Sequence, residues 1–362
     1  MLQSPEPHAP PSRFADWLEL NALAHPSRGV GLGEVRRIFR VVGREGPRHE
    51  YDADAEETRE NEIHDPDENA AIAEIASEIH SRSERLRELY PFEISETGGG
   101  VNRSFSLQLK EEHENDVSCI YIFCLLVSSI RLGLLNVDDL KDLKLPDGKK
   151  VFSDHRFGYL FQICASIALG GYLLGEVVSF GFPRRNKTRF LTAMKDAWER
   201  FGAYEVRGSI PQGAPLKNKD AGIDLLGWVH FADNGPAKML VIGQVASGLN
   251  WNGKSVSEFG RSMKNNWFVN GAFEHFMPAM FIPFDITDAD NHVQREGGDL
   301  RSALFGFSES SHGMIFDRER IVFSANRYFL NQARIRGEVD RADQINDICS
   351  WNDTVRPLFA SI

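Results

Sequence analysis

Apolar residues recur at helical spacing through the N-terminal half of the chain and give way to strand-length runs beyond residue 200. Phe14, Trp17, Leu18, Leu20 and Leu23 predict a helix over 13–24, with Ser12 as its N-cap. A second short helix is expected over 29–40. Ile72, Ile75, Ala76, Ile79 and Leu86 predict an amphipathic helix over 70–89, halted at Tyr90-Pro91. Residues 92–109 are broken by Gly98-Gly99-Gly100 and then alternate at Phe105, Leu107 and Leu109, which fits a small hairpin. The runs 117–135 and 157–178 are nearly free of charge and read as buried helices, with a short helix at 136–143 after the first. The second run is nominally long enough to span a bilayer. It is rich in Gly, Ala and Ser, carries Gln162 and lacks a basic flank, so no membrane segment is expected.

Beyond it the pattern changes. Phe190, Leu191, Met194, Ala197 and Trp198 share one face of a helix over 188–200, closed by Gly202. Residues 204–210 are strand-like. Residues 223–231 and 239–245 read as paired strands around a turn that contains Asn234-Gly235. A helix over 255–276, strands at 279–284 and 314–316, and closing helices over 321–334 and 339–348 follow. The order α-β-β-α-β predicts a small sandwich with a mixed sheet. The fold class is therefore α/β (α+β). A disordered, Pro-rich segment 1–12 precedes a mainly helical N-terminal domain over 13–180. The α-β-β-α-β core covers 181–325, and C-terminal helices cover 326–362.

Composition narrows the function. The chain has 362 residues and a net charge of -11, unlike a dedicated nucleic-acid binder that relies on overall basicity. Acidity is concentrated in 50–93, which reads as a solvated loop and helix face; a docking site for a basic partner is the alternative. Cys119, Cys124, Cys164 and Cys349 have no Cys-x-x-Cys spacing, which argues against zinc and for free thiols in a reducing compartment. With no signal-peptide pattern, a cytoplasmic location is expected. Neither a Walker motif nor Gly-x-Gly-x-x-Gly is present. The most basic stretch is 184–189. Its Arg184, Arg185, Lys187 and Arg189 are candidate phosphate contacts, a solvated turn being the alternative.

The candidate chemistry lies on the central hairpin. Asp224 stands at the head of its first strand and Gln244 near the end of its second, where buried strands are otherwise apolar. A carboxylate there needs a metal, a lysine (Lys219 or Lys238) or a backbone amide as partner. Phosphodiester hydrolysis needs an activated water and neutralisation of charge on phosphorus, which Mg²⁺ or Mn²⁺ supplies through hard oxygen ligands. Asp224, Gln244 and the Val245 carbonyl are candidate ligands. Asp220 is either a further ligand or a turn residue.

Lys219-Asp220-Ala221-Gly222-Ile223-Asp224, a hairpin, and then Gly243-Gln244-Val245 resemble the restriction-endonuclease-like PD-(D/E)XK superfamily. The likeness is closer to its Mrr-type branch, where Gln replaces the second acid, and it covers about residues 188–320. The same composite is similar to sequences in bacterial phage-defence islands. The resemblance implies a restriction-endonuclease-like core and a Mg²⁺-dependent DNA endonuclease, gated by a partner from a defence operon or by a second copy. A degenerate nuclease fold kept for nucleic-acid binding or assembly is the alternative. The superfamily's lysine two residues after Gln244 is here Ala246, which leaves Lys254, Lys219 or Lys238 to replace it. The superfamily's first-helix acid falls on Asp196 or Glu199, with Gln162 a further candidate. Trp251, in an Asn-rich loop, is either a base-stacking residue or core. A lysine ammonium close to both Asp224 and Gln244 would favour catalysis.

Overall fold

The computed structural model describes residues 2–26, 29–43, 66–97, 104–112, 114–145, 148–182, 184, 188–213, 221–233, 235, 238–288 and 299–360. It divides into two compact units. The first comprises 1–113, 132–136 and 356–362, and the second 114–131 and 137–355. The division thus falls near residue 113 rather than at 180. The two apolar helices expected in an N-terminal domain belong to the second unit instead: the run 157–173 packs on its sheet, and both runs pack on the helix over 318–330. Among the described residues no helix is long and apolar enough to cross a membrane.

In the first unit, α1 (Pro11–Ala24) begins with Pro11 in its first turn and Pro10, not Ser12, at the N-cap. Proline suits that place because its missing N–H would have no partner inside the helix. The segment expected to be disordered is held down: Leu2 bridges Leu135, and the Gln3 amide donates to the Leu134 carbonyl at 2.8 Å. Strand β1 (Val30–Gly31) leads into α2 (Leu32–Gly43), and α3 (Pro66–Leu86) buries Ile72, Ile75, Ile79 and Leu86 as its spacing predicts. The expected hairpin forms between β2 (Phe92–Thr97) and β3 (Ser104–Leu109), and β1 pairs with the other edge of β3. The acidic loop preceding residue 66 lies outside the described residues.

The second unit opens with two apolar helices, α4 (Asp116–Arg131) and α5 (Asp154–Leu173). The apolar run expected to be one helix to residue 178 stops at Leu173. Leu174 adopts a left-handed conformation, and β4 (Glu176–Ser179) follows. Then come α6 (Phe190–Phe201), β5 (Leu225–Val229), β6 (Met239–Val245), α7 (Val256–Trp267), β7 (Met277–Phe281), α8 (Leu300–His312), β8 (Met314–Phe316), α9 (Arg318–Leu330) and the part to residue 355 of α10 (Ile345–Ala360), whose last residues are counted with the first unit. The expected order α-β-β-α-β is present as α6, β5, β6, α7, β7, with β4 and β8 added at the edges. The strand-like stretch 204–210 makes only an isolated bridge, Val206 to Phe268. Helix α8 was not predicted: only its last residue, His312, is buried, so it has no apolar stripe to read.

The sheet runs β4-β5-β6-β7-β8, antiparallel across β4, β5 and β6 and parallel across β6, β7 and β8. The end of β4, the start of β5 and the ends of β6, β7 and β8 therefore share one edge. Helix α5 covers one face, where Gly227 lies against Leu169 and Leu173. On the other face Phe201 of α6 meets Trp228 of β5, ring centroids 5.4 Å apart.

Helices α5 and α9 pack backbone to backbone at Gly171. A Cβ there would strike the Ser324 carbonyl oxygen and approach the Tyr328 amide nitrogen to 2.7 Å. Both obstacles are backbone, so no rotamer change relieves them. Gly171→Ala is expected to destabilise the second unit by about 3 kcal/mol, because the two helices must separate. Urea denaturation checks this, and a change under about 0.5 kcal/mol contradicts it.

Candidate functional site

Asp224 sits immediately before β5 on the shared edge, fixed by its own backbone. Its amide donates to the Gly243 carbonyl (2.9 Å), and its carbonyl accepts from the Phe180 (2.7 Å) and Gly181 (2.8 Å) amides. Those amides belong to the chain just after β4, so three strands fix one residue. The turn before it places Ala221 and Gly222 at φ 55° and 79°. Its carboxylate has two further anchors: Oδ2 accepts from the Val245 amide at 2.8 Å, and Oδ1 accepts from Gln162 Nε2 at 3.4 Å. A Cβ at residue 181 would collide with both Gln162 Nε2 and Asp224 Oδ1, so Gly181 lets the two side chains meet.

Gln244 lies between Gly243 and Val245, the two β6 residues that bond Asp224. It is only 6% exposed, and its Oε1 is buried without a hydrogen-bond partner. A stranded buried acceptor costs about 1–3 kcal/mol. The structure thus brings Asp224, Gln244 and Val245 together and adds Gln162, whose position on α5 makes it the helix residue reaching Asp224. Glu199 does not serve: it is exposed on α6 beside a shallow depression shared with Lys195 and Glu205. No hydrogen bond or ion pair joins Glu199 to Asp224 among the described residues.

Among the described residues, neither Lys238 nor Lys254 makes a hydrogen bond or ion pair with Asp224 or Gln244. Ala246 is 1% exposed, with its amide bonded to the Phe281 carbonyl, so the position two residues after Gln244 is packed in the core. Lys238 precedes β6, at the opposite end from Gln244, and donates to the Phe201 carbonyl. Lys254 ends the short turn over Trp251–Gly253, its amide donating to the Trp251 carbonyl. Among the described residues no bond joins the Lys254 ammonium to Asp224 or Gln244. Trp251 is not a stacking platform: it is 3% exposed and packs on His312, ring centroids 5.1 Å apart. Burial there pushes the His312 imidazole below its usual pKa.

Of the basic stretch, Arg189 is exposed at the head of α6. Arg184 is buried, with its guanidinium over the rings of Phe180 (5.0 Å) and Phe190 (5.9 Å) and Nη1 donating to the Thr188 carbonyl. Lys219, Asp220, Arg185 and Lys187 lie outside the described residues.

Polar contacts continue inward from Asp224. Ser179 Oγ donates to Gln162 Oε1 at 3.5 Å and accepts from Arg341 Nε at 2.7 Å. The Ser179 amide donates to Asp340, which also accepts from Arg200.

A second charged group on the same edge was not anticipated. Asp285 after β7, and Asp317 and Glu319 after β8, surround the Arg301 guanidinium at 3.1, 2.5 and 3.2 Å. Strand-end acids following apolar runs were the available signal. Burial, with Asp285 and Glu319 adding to it against Arg301, pushes the Asp317 carboxyl from 3.8 up to about 6. The folded state therefore holds this proton more tightly than the unfolded state between those values. The group makes stability fall as pH rises through that window, by about 1–3 kcal/mol. Asp317→Asn keeps an acceptor for the Arg320 amide at the head of α9 and should flatten that slope. Denaturation at several pH values tests it, and an unchanged slope in the variant contradicts it.

Among the described residues no group of three or more His, Cys, Asp or Glu is placed to hold a metal ion. The donors at Asp224 are different in kind: one carboxylate and two amide side chains. No protein-family model, curated protein or solved structure matches the chain.

Proposed function

We propose that the second unit is a divalent-metal-dependent DNA endonuclease. The observation that carries this reading is the buried, unpartnered Gln244 Oε1 on the stretch of β6 whose Val245 amide holds the Asp224 carboxylate, at the edge where the parallel strands end. That edge is where mixed and parallel sheets commonly bind ligands. The sheet's antiparallel-then-parallel order and the α-β-β-α-β succession support a restriction-endonuclease-like core.

The donor set fits a hard cation. Asp224 and Gln244 would hold Mg²⁺ or Mn²⁺, Gln244 gaining the partner its Oε1 lacks. The bound ion would lower the pKa of a water and offset charge on phosphorus. The chain's own residues act before that. The Val245 amide fixes Asp224 Oδ2, and Gln162, braced by Ser179, holds Oδ1 in place. Gln244 in place of a carboxylate leaves the site one negative charge poorer, which weakens cation binding and suits a gated activity. With a net charge of -11, docking on DNA calls for a local basic patch or a partner, from the same defence operon or a second copy.

The second reading, a degenerate fold that binds nucleic acid or assembles a complex without cutting, is favoured by the sealed Ala246 and the distant Lys238. One experiment separates them. The full chain is incubated with plasmid DNA and with RNA in Mg²⁺, Mn²⁺ or EDTA, alongside a binding assay. Metal-dependent cleavage of DNA supports the nuclease. Binding without cleavage in either metal supports the second reading.

A further inference from the structure

Linked to the Asp224 site through Gln162 and Ser179, which is part of its wall, is a cavity of about 280 Å³. Three arginines line it: Arg184, Arg200 and Arg341. We infer that this cavity takes the terminal phosphomonoester of a nucleic-acid strand, making the enzyme one that engages strand ends. The inference deepens the nuclease reading and rests on it.

The lining balances three arginines against Asp196, Glu338 and Asp340, and Arg200 also pairs with Glu176 at 2.7 Å, so it is the burial of the other two arginines that favours an anion. The deeper members are Arg341 and Arg184, both under a tenth exposed, while Asp196 and Glu338 are exposed. Asp340, the half-buried carboxylate of the wall, is already engaged by Arg200 Nη1 at 2.9 Å and by the Ser179 amide at 2.9 Å. The floor is thus richer in cations and the outer part in acids. A phosphodiester backbone running across the mouth would meet the acids. A single terminal group reaching the floor would meet the guanidiniums.

The arginines are also preorganised. Arg184 is held over Phe180 and Phe190, and Arg341 over the Tyr159 ring at 5.0 Å. Arg341 stands in the left-handed region at φ 67°, a conformation an arginine seldom adopts without surrounding constraint. Planar guanidiniums fixed by aromatic faces lose little freedom on binding phosphate. A phosphomonoester carries close to two charges and three acceptor oxygens, against one charge for a diester. The volume admits a phosphate with its sugar but not a duplex. Because Arg341 donates to Ser179 and Ser179 to Gln162, a strand end seated here would lie next to the Asp224 carboxylate.

The test measures binding of single-stranded oligonucleotides by the full chain in EDTA, so cleavage plays no part. The oligonucleotides carry a 5′-phosphate, a 3′-phosphate or only hydroxyl ends. One phosphorylated end is expected to bind at least about tenfold tighter than the hydroxyl ends. The preference should fall towards unity in Arg184→Gln and Arg341→Gln, checked for folding by thermal melting. Equal binding of all three by the wild-type chain overturns the inference whatever the variants do. Binding of a phosphorylated mononucleotide without binding of any oligonucleotide also overturns it. End preference without cleavage in Mg²⁺ or Mn²⁺ sinks the hydrolase and leaves the pocket standing. Cleavage without end preference does the reverse.

Discussion

Asp224→Asn is expected to abolish metal-dependent cleavage, by about a thousandfold or more, while leaving the fold nearly as stable as before. The two halves of that result have separate causes. Asparagine keeps a side-chain oxygen where Asp224 Oδ2 accepts from the Val245 amide, so the junction of β5 and β6 retains its tie. What is lost is the negative charge. A cation held by one carboxylate and a neutral amide depends on that charge, and losing several kcal/mol of transition-state stabilisation corresponds to about three decades in rate. Asp224→Ala removes the acceptor as well. It strands the Val245 amide and the Gln162 amide group, adding about 1–3 kcal/mol of destabilisation. The two variants should therefore share the catalytic loss and differ in melting temperature. Plasmid nicking in Mg²⁺ and a thermal melt of each variant measure this. An Asp224→Asn protein that cuts like wild type would remove Asp224 from the chemistry.

Gln244→Glu is the informative partner. It supplies a second carboxylate at a buried position, which costs stability without a metal and should raise the stabilisation that added Mn²⁺ confers. A melting temperature that ignores Mn²⁺ in this variant would mean that Gln244 Oε1 is stranded for some other reason.

What could be read from residue order depended on how each element announces itself. The hairpin was legible because two short apolar runs flank turn residues, and β5 and β6 pair antiparallel as that pattern demands. Strand β4 was hidden because Val177 and Val178 continue an apolar helix without a change of period, and only Gly175 marks the break. Asp224 and Gln244 stood out as polar residues in apolar strands. Gln162 stood out less, since one glutamine in an apolar helix reads equally as core. Its role depends on a contact 62 residues away in sequence, which periodicity does not carry. The same holds for Trp251, whose Asn-rich neighbours suggest exposure while His312 on α8 covers it. Of the expected lysines, Lys238 is set apart for a geometric reason: it lies a full strand, about 20 Å, from Gln244 along β6.

The largest effect on stability should come from a residue with no part in the chemistry. Arg82 on α3 is 1% exposed, and it faces Asp16 and Glu19 of α1, both fully buried, at 2.7 and 2.9 Å. Its other donors reach Glu78 and the Ser12 carbonyl, and the Tyr90 hydroxyl donates to Glu19. Asp16 and Glu19 sit among apolar positions of a helix whose pattern gives no hint that its acids turn inward. Arg82→Ala leaves both carboxylates in a site closed to water and is expected to cost about 3–5 kcal/mol, concentrated in the first unit. Lowering the pH from about 7 to about 5 should restore part of that loss, since buried carboxylates that have lost the Arg82 charge take up protons more readily folded than unfolded. Replacing the trio together, as Asp16→Leu, Glu19→Leu and Arg82→Met, should recover most of it, because no buried charge is then left without its counterpart. Amide hydrogen exchange on α1 and α3 reads the outcome directly. Unchanged protection of those helices in Arg82→Ala would mean that the acids find other partners and that the network does not hold the first unit together.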